Sequence, residues 1–427
     1  MIHAPKTFAT LGFALSLASG GPATNAHAAT APDQALVSRG AYLAKAGDCI
    51  ACHSAPRGKP FAGGLPMTTP VGRIYSTNIT PDPDTGIGRY TQEEFIRAMR
   101  EGIARDGHNL YPAMPYPSYA KVNDGDMQAL YAYFMHGVEP VNRENQKSEI
   151  RWPLGIRWPL KVWNFMFLDK GVYQDKPGRD AEWNRGAYLV QGLGHCGSCH
   201  TPRGVAFQEK AVDEGGSTFL SGALIEGWFA SNLTGEHNVG LGRWSGPELV
   251  SFLKTGANRH ATAFGSMTEV VNNSTQAMTD TDLGAMAAYL KTLPAQGGNG
   301  APPYAYDAQK TKVSLSRPAG NAGARIYTTH CLQCHGADGR GFAPMLAPLA
   351  GNPNVLERNP SSLINVTLNG TGDLVVRGIP AAYPMPKYAA VLSDRDIADV
   401  LTFIRAGWNN SAGAVSPKEV AKLRGGS

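Results

Sequence analysis

The sequence predicts an all-α chain: three tandem helical domains joined by loop-rich linkers. Three observations carry that expectation. A five-residue pattern, Cys-x-x-Cys-His, stands at residues 49–53, 196–200 and 331–335 of the 427. A helix-start pattern recurs at Asn123-Asp124-Gly125-Asp126, Thr279-Asp280-Thr281-Asp282 and Ser393-Asp394-Arg395-Asp396. Few stretches compete with the alternation of a strand.

The elements follow in order. Residues 1–28 read as a secretory leader, with Lys6 ahead of an apolar run from Phe8 to Ala18 and a small-x-small site at Ala26-His27-Ala28. The run is too short to span a bilayer. The first domain, 29–137, opens with Arg39-Gly40-Ala41-Tyr42-Leu43, and the second, 181–293, with Arg185-Gly186-Ala187-Tyr188-Leu189. Gly323-Ala324-Arg325-Ile326-Tyr327 is a looser version opening the third, 321–410. Each reads as a short helix whose Tyr42, Tyr188 or Tyr327 packs in the core. The recurring acids suit helix N-termini. Apolar residues then follow at helical spacing, as in Met127, Leu130, Tyr131 and Phe134.

The first two domains share a segment the third lacks: Asn78-Ile79-Thr80 running to Gly88, and Asn232-Leu233-Thr234 running to Gly242. Both match a glycosylation sequon but read better as turns. Residues 294–320 form a Gly/Pro-rich linker and 411–427 a polar tail. The 138–180 linker is aromatic, with Arg151-Trp152-Pro153-Leu154 echoed by Arg157-Trp158-Pro159-Leu160 and followed by Trp163, Phe165, Met166 and Phe167. Two readings stand: a docking or membrane-interface segment, or a strap packed across the first two domains.

Cys-x-x-Cys-His is the attachment signature of c-type haem. Cys49 and Cys52, Cys196 and Cys199, Cys331 and Cys334 would each add to the two vinyl groups of one porphyrin, and His53, His200 or His335 would ligate its iron. These pairs use all six cysteines. A redox dithiol or a zinc site is the alternative, but neither needs the adjoining histidine three times. Proximal histidines usually donate their second N–H to a carbonyl, for which Pro66 and Pro348 are candidates.

The other axial position decides the chemistry. A thioether there raises the potential and makes the haem an electron carrier. Met114 in Tyr111-Pro112-Ala113-Met114-Pro115 and Met385 in Tyr383-Pro384-Met385-Pro386 sit in proline-stiffened loops, and Met267 lies in Phe264-Gly265-Ser266-Met267. Met67, Met278 and Met345 are rivals, as are His108, His260 and His330. Met99, Met127, Met135, Met166 and Met286 read as core filler. A formal charge of +5, or +4 once Lys6 is removed, and no dense Lys/Arg cluster give no sign of nucleic acid. No dinucleotide fingerprint, P-loop or nucleophile elbow is present.

The three motifs, the Asn78-to-Gly88 segment, the Tyr111-to-Tyr116 loop, the lead-in from Ala181 to Gly186 and the end from Leu392 to Trp408 together resemble the three-haem cytochrome c subunits of bacterial membrane-bound dehydrogenases. The likeness is to the subunit of quinoprotein alcohol dehydrogenase, and similar subunits serve flavin-dependent gluconate, sorbitol and glucose dehydrogenases. The resemblance implies three covalently bound haem c groups and a catalytic partner subunit, quinoprotein or flavoprotein, with a small accessory subunit as a further partner. It implies delivery to ubiquinone at the periplasmic face of the inner membrane, where the chain would sit peripherally. A multihaem peroxidase, with an open iron site at Met267, or a free-standing carrier is the competing reading.

Overall fold

Three helix pairs carry the fold. In the computed structural model Gln34–Ala46 packs on Asp124–His136, Ala181–Gln191 on Asp280–Lys291, and Ala322–His330 on Asp394–Ala406. The structure describes residues 33–69, 71–298 and 300–425, with residues 1 and 4; the expected leader otherwise lies outside the described residues. The repeated glycine is what allows each crossing. A Cβ on Gly40 would fall on the carbonyl oxygen of Ala129, one on Gly186 on that of Ala285, and one on Gly323 on that of Asp399. The expected caps form: the side chains of Asn123, Thr279 and Ser393 accept from the N–H groups of Asp126, Asp282 and Asp396.

The fold is not all helix. Seven short strands make three antiparallel sheets among the described residues. Pro66–Thr69 pairs with Gly72–Tyr75, which pairs with Glu149–Ile150; Ala223–Ile225 pairs with Trp228–Ala230, and Val375–Val376 with Ile379–Pro380. Met67 stands opposite Ile74, and Leu224 opposite Phe229. Strands of two to four residues are too short to show alternation, so the sequence hid them.

One continuous apolar core runs through the first two helix pairs, joining Leu43, Leu130 and Phe134 to Leu189, Leu193 and Leu290. A separate core holds Tyr327, Ile364, Ile397, Leu401 and Trp408. Tyr327 is buried there, four residues past its glycine. Tyr42 and Tyr188 stand two past theirs, on another face of the helix, and their hydroxyls reach out of their own pair: Tyr42 to Asp282 and Tyr188 to Asp126. Tyr188 is nonetheless buried in the shared core as expected, while Tyr42 is half-buried against its edge.

The aromatic linker is a strap on one side only. Its helix, Pro159–Phe167, turns Leu160, Trp163, Asn164 and Phe167 toward the protein, with Leu168 behind them. Asn164 donates to the Glu101 carbonyl at 3.0 Å and Trp163 Nε1 to that of Ala206 at 2.8 Å. The opposite face is exposed and includes Met166, which is therefore not core filler. The expected polar tail also folds back: helix Pro417–Arg424 buries Val420 in the separate core with Tyr327 and Trp408, and Arg424 pairs with Asp394.

Candidate metal centres

The histidines end three one-turn helices, Cys49–His53, Gly197–His200 and Leu332–His335, each following a lead-in helix, with Cys196 and Cys331 as the N-cap residues of the second and third. In every copy the first cysteine is half-buried, the second is exposed, and neither is in a disulfide. Burial pushes the thiols of Cys49, Cys196 and Cys331 up to about 12. That is opposite to a reactive dithiol, whose nucleophile is a stabilised thiolate. Among the described residues no three His, Cys, Asp or Glu side chains group as a four-ligand metal site would need.

The three histidines are held alike. His53 Nδ1 lies 2.8 Å from the carbonyl oxygen of Thr77, His200 Nδ1 2.6 Å from that of Ser231, and His335 Nδ1 2.9 Å from that of Ala347. A carbonyl can only accept, so Nδ1 carries the proton and Nε2 keeps its lone pair for a metal. Burial holds all three imidazoles below their usual value, and therefore neutral.

Pro66 and Pro348 do not supply these carbonyls. Pro66 starts a strand, and the Pro348 carbonyl accepts from Asn352 instead. Two of the three residues that do have a distinctive neighbour in the sequence, and Ala347 has none. Thr77 and Ser231 immediately precede the shared Asn-x-Thr. Asn78 and Asn232 are buried, and each accepts from the N–H and hydroxyl of the threonine two residues on. Their amides donate to the carbonyls of Val141 at 2.7 Å and Gln296 at 2.6 Å, pinning the chain that leaves each terminal helix. The sequons are turns, and the turn presents the carbonyl to the histidine.

The three candidate methionines share a backbone setting. A short loop closes where Leu110 N–H bonds the Gly102 carbonyl at 2.7 Å, Ala263 that of Gly256 at 2.6 Å, and Ala381 that of Leu374 at 2.9 Å. Met114, Met267 and Met385 each lie four residues past that closure, and each is half-buried. Gly102 and Gly256 end helices Gln92–Glu101 and Gly246–Thr255 at φ 64° and 72°, a left-handed cap that suits glycine. Met267 needs no flanking proline because it stands in the first turn of helix Ser266–Asn273.

The rivals are placed otherwise. Met278 is buried in the shared core, Met345 is exposed, and Met67 is in a strand. His108 bonds Asp106, His260 stacks on Trp244 with ring centroids 5.3 Å apart, and His330 sits edge-on to Tyr388. Two thiols, one neutral imidazole with a free Nε2 and one thioether loop are the donor types that would hold a c-type haem.

Comparison with known proteins agrees. The sequence profile of the Cytochrome c family matches residues 37–137 and 321–408. The gluconate 2-dehydrogenase cytochrome c subunit of Pantoea cypripedii is 50% identical over 94% of this chain and 93% of its own. The alcohol dehydrogenase (quinone) cytochrome c subunit of Gluconacetobacter polyoxogenes is 51% identical over 92% of this chain and 85% of its own. The fructose dehydrogenase cytochrome subunit of Gluconobacter japonicus is 38% identical over 91% and 83%. The chain therefore belongs to the family of cytochrome c subunits that these dehydrogenase components represent, and haem c is its covalent cofactor.

Proposed function

We propose that this chain is the electron-transfer subunit of an exported dehydrogenase complex, carrying three haem c groups in three cytochrome c-like domains, 29–137, 181–293 and 321–410. It takes electrons from a catalytic subunit, a quinoprotein or flavoprotein oxidising an alcohol, sugar or aldehyde, and passes them to ubiquinone at the periplasmic face of the inner membrane. Among the described residues no helix is long and apolar enough to cross a membrane.

The supporting observation is one set of donors repeated three times along a chain that matches dehydrogenase cytochrome subunits almost from end to end. Cys49 and Cys52, Cys196 and Cys199, and Cys331 and Cys334 hold the porphyrins. His53, His200 and His335 ligate through Nε2; Met114, Met267 and Met385 ligate through sulfur. Haem c supplies one-electron transfer when bound. The chain fixes the histidine tautomer through Thr77, Ser231 and Ala347, holds the thioether loops closed and packs the first two domains on one core.

Purification of the chain from detergent-solubilised membranes tests this. The reading expects a dehydrogenase subunit to co-purify, and its substrate to reduce a soluble ubiquinone analogue only when this chain is present. Recovery of the haem-loaded chain with no dehydrogenase would overturn it.

A further inference from the structure

The aromatic strap has a second face that nothing among the described residues covers. On helix Pro159–Phe167 and the loop before it, Trp152 is 86% exposed, Trp158 66%, Phe165 90% and Met166 57%, with Leu154, Ile156 and Val162 beside them. The inward residues, Leu160, Trp163, Asn164 and Phe167, fall at helical spacing, and so do the outward ones, Trp158, Val162, Phe165 and Met166. A helix apolar on both faces normally lies buried. This one is fixed on one side and bare on the other.

Charge and chemistry decide what covers it. Over residues 151–168 there are three basic side chains, Arg151, Arg157 and Lys161, and no Asp or Glu. Arg157 is used internally: its guanidinium lies 3.8 Å from the centre of the Tyr111 ring and donates to the Asn109 carbonyl. Arg151 and Lys161 are exposed beside the apolar tips. Protruding tryptophan, phenylalanine and methionine flanked by lysine and arginine match a bilayer interface, where rings enter the headgroup region and cations meet anionic lipid. Nearly complete exposure of Phe165 and Trp152 suits insertion into a soft surface.

We infer that residues 151–168 form a wedge that seats this chain on an anionic lipid surface. The inference rests on the membrane-facing reading above and deepens it by naming the attachment. The wedge is joined to the loop carrying Met114. Tyr111 donates to the Leu154 carbonyl, Tyr116 donates to Asn164 at 2.6 Å, and the Tyr116 and Trp163 rings meet edge to face at 6.2 Å. Seating the wedge therefore brings the first candidate centre to the membrane.

The test uses the haem-loaded full chain with vesicles of phosphatidylcholine, with and without phosphatidylglycerol. Wild type is expected to sediment with the phosphatidylglycerol vesicles, less so at high salt. F165E and the double variant W158S/M166S should bind about tenfold more weakly or worse, and K161E should lose the preference for anionic lipid. Haem absorption and reduction by a soluble donor should stay unchanged, as none of these side chains faces the protein. Wild type that ignores vesicles, or F165E that binds them as wild type does, overturns the wedge. F165E that keeps vesicle binding but sheds the dehydrogenase subunit also overturns it, making the face a protein interface. Haem content and dehydrogenase co-purification are read separately, so a failure of the electron-transfer reading remains distinguishable.

Discussion

Tyr42 of the first helix pair donates to Asp282 of the second at 2.5 Å, and the bond has a mirror: Tyr188 of the second pair donates to Asp126 of the first at 2.6 Å. Each aspartate is also held within its own pair, Asp282 by Arg185 at 2.8 Å through two nitrogens and Asp126 by Arg39. Both acids are capped helix starts, and both tyrosines come from the same Arg-Gly-Ala-Tyr-Leu string. The two copies are thus joined by a reciprocal exchange about a local two-fold. The third copy has Ala322 and Arg325 at the corresponding places and takes no part.

Tyr42→Phe should destabilise the folded protein by about 1–2 kcal/mol, since it removes a hydrogen bond to a charged group but leaves Arg185 on Asp282. A double-mutant cycle with Asp282→Asn, followed by denaturant unfolding, should give a coupling of similar size. Zero coupling would mean that the contact contributes nothing.

The same site sets a pH dependence. Burial pushes the Asp282 carboxyl up, but hydrogen bonds from Arg185 and Tyr42 outweigh it and leave the group below its ordinary value. A carboxyl lowered by folding stabilises fully above its unfolded value of about 4, and that share is lost as the pH falls through the folded value. The unfolding midpoint should therefore drop on acidification below about pH 5, and drop less steeply in Asp282→Asn. An equal slope in the variant would show that other carboxylates govern acid stability.

Asn232→Ala should act on one centre. It costs about 2–3 kcal/mol, because the Thr234 N–H and the Gln296 carbonyl lose a buried partner. It also loosens the Ser231 carbonyl that accepts from His200. A weaker bond at Nδ1 makes the imidazole a poorer donor, so one haem potential should rise while the other two stay. A potentiometric titration with no component shifted would remove Asn232 from this role.

Met267→Ala should shift one potential the other way, downward, and remove one of three methionine-to-iron charge-transfer signals. Met114→Ala and Met385→Ala should do the same at different components of the titration. A Met267 variant with all three signals intact would place its sulfur off the iron.

The structure was legible where chemistry is written in side chains and hidden where it is written in backbone. The lead-in and terminal helices, with the caps at Asn123, Thr279 and Ser393, could be read directly. The carbonyls that hold the histidines are harder, because any residue has one and only the fold chooses: Thr77 and Ser231 are marked only by the Asn-x-Thr that follows them, Ala347 is marked by nothing, and Pro66 and Pro348 supply none of the three. The core position of Tyr188 is legible in the sequence, but the hydroxyl contacts of Tyr42 and Tyr188 are not, because their partners lie over two hundred residues and sixty-two residues away in sequence, on the other helix pair. Met166 shows the limit of composition: the residue type suits a core, and the helix phase turns it outward.

The most direct measurement is the intact mass of the mature protein, with a count of free thiols. Three haem additions and no titratable cysteine are expected, and proteolysis should assign one haem each to the Cys49, Cys196 and Cys331 peptides. A mass short by one haem or more, with the matching pair of thiols free, would contradict the account.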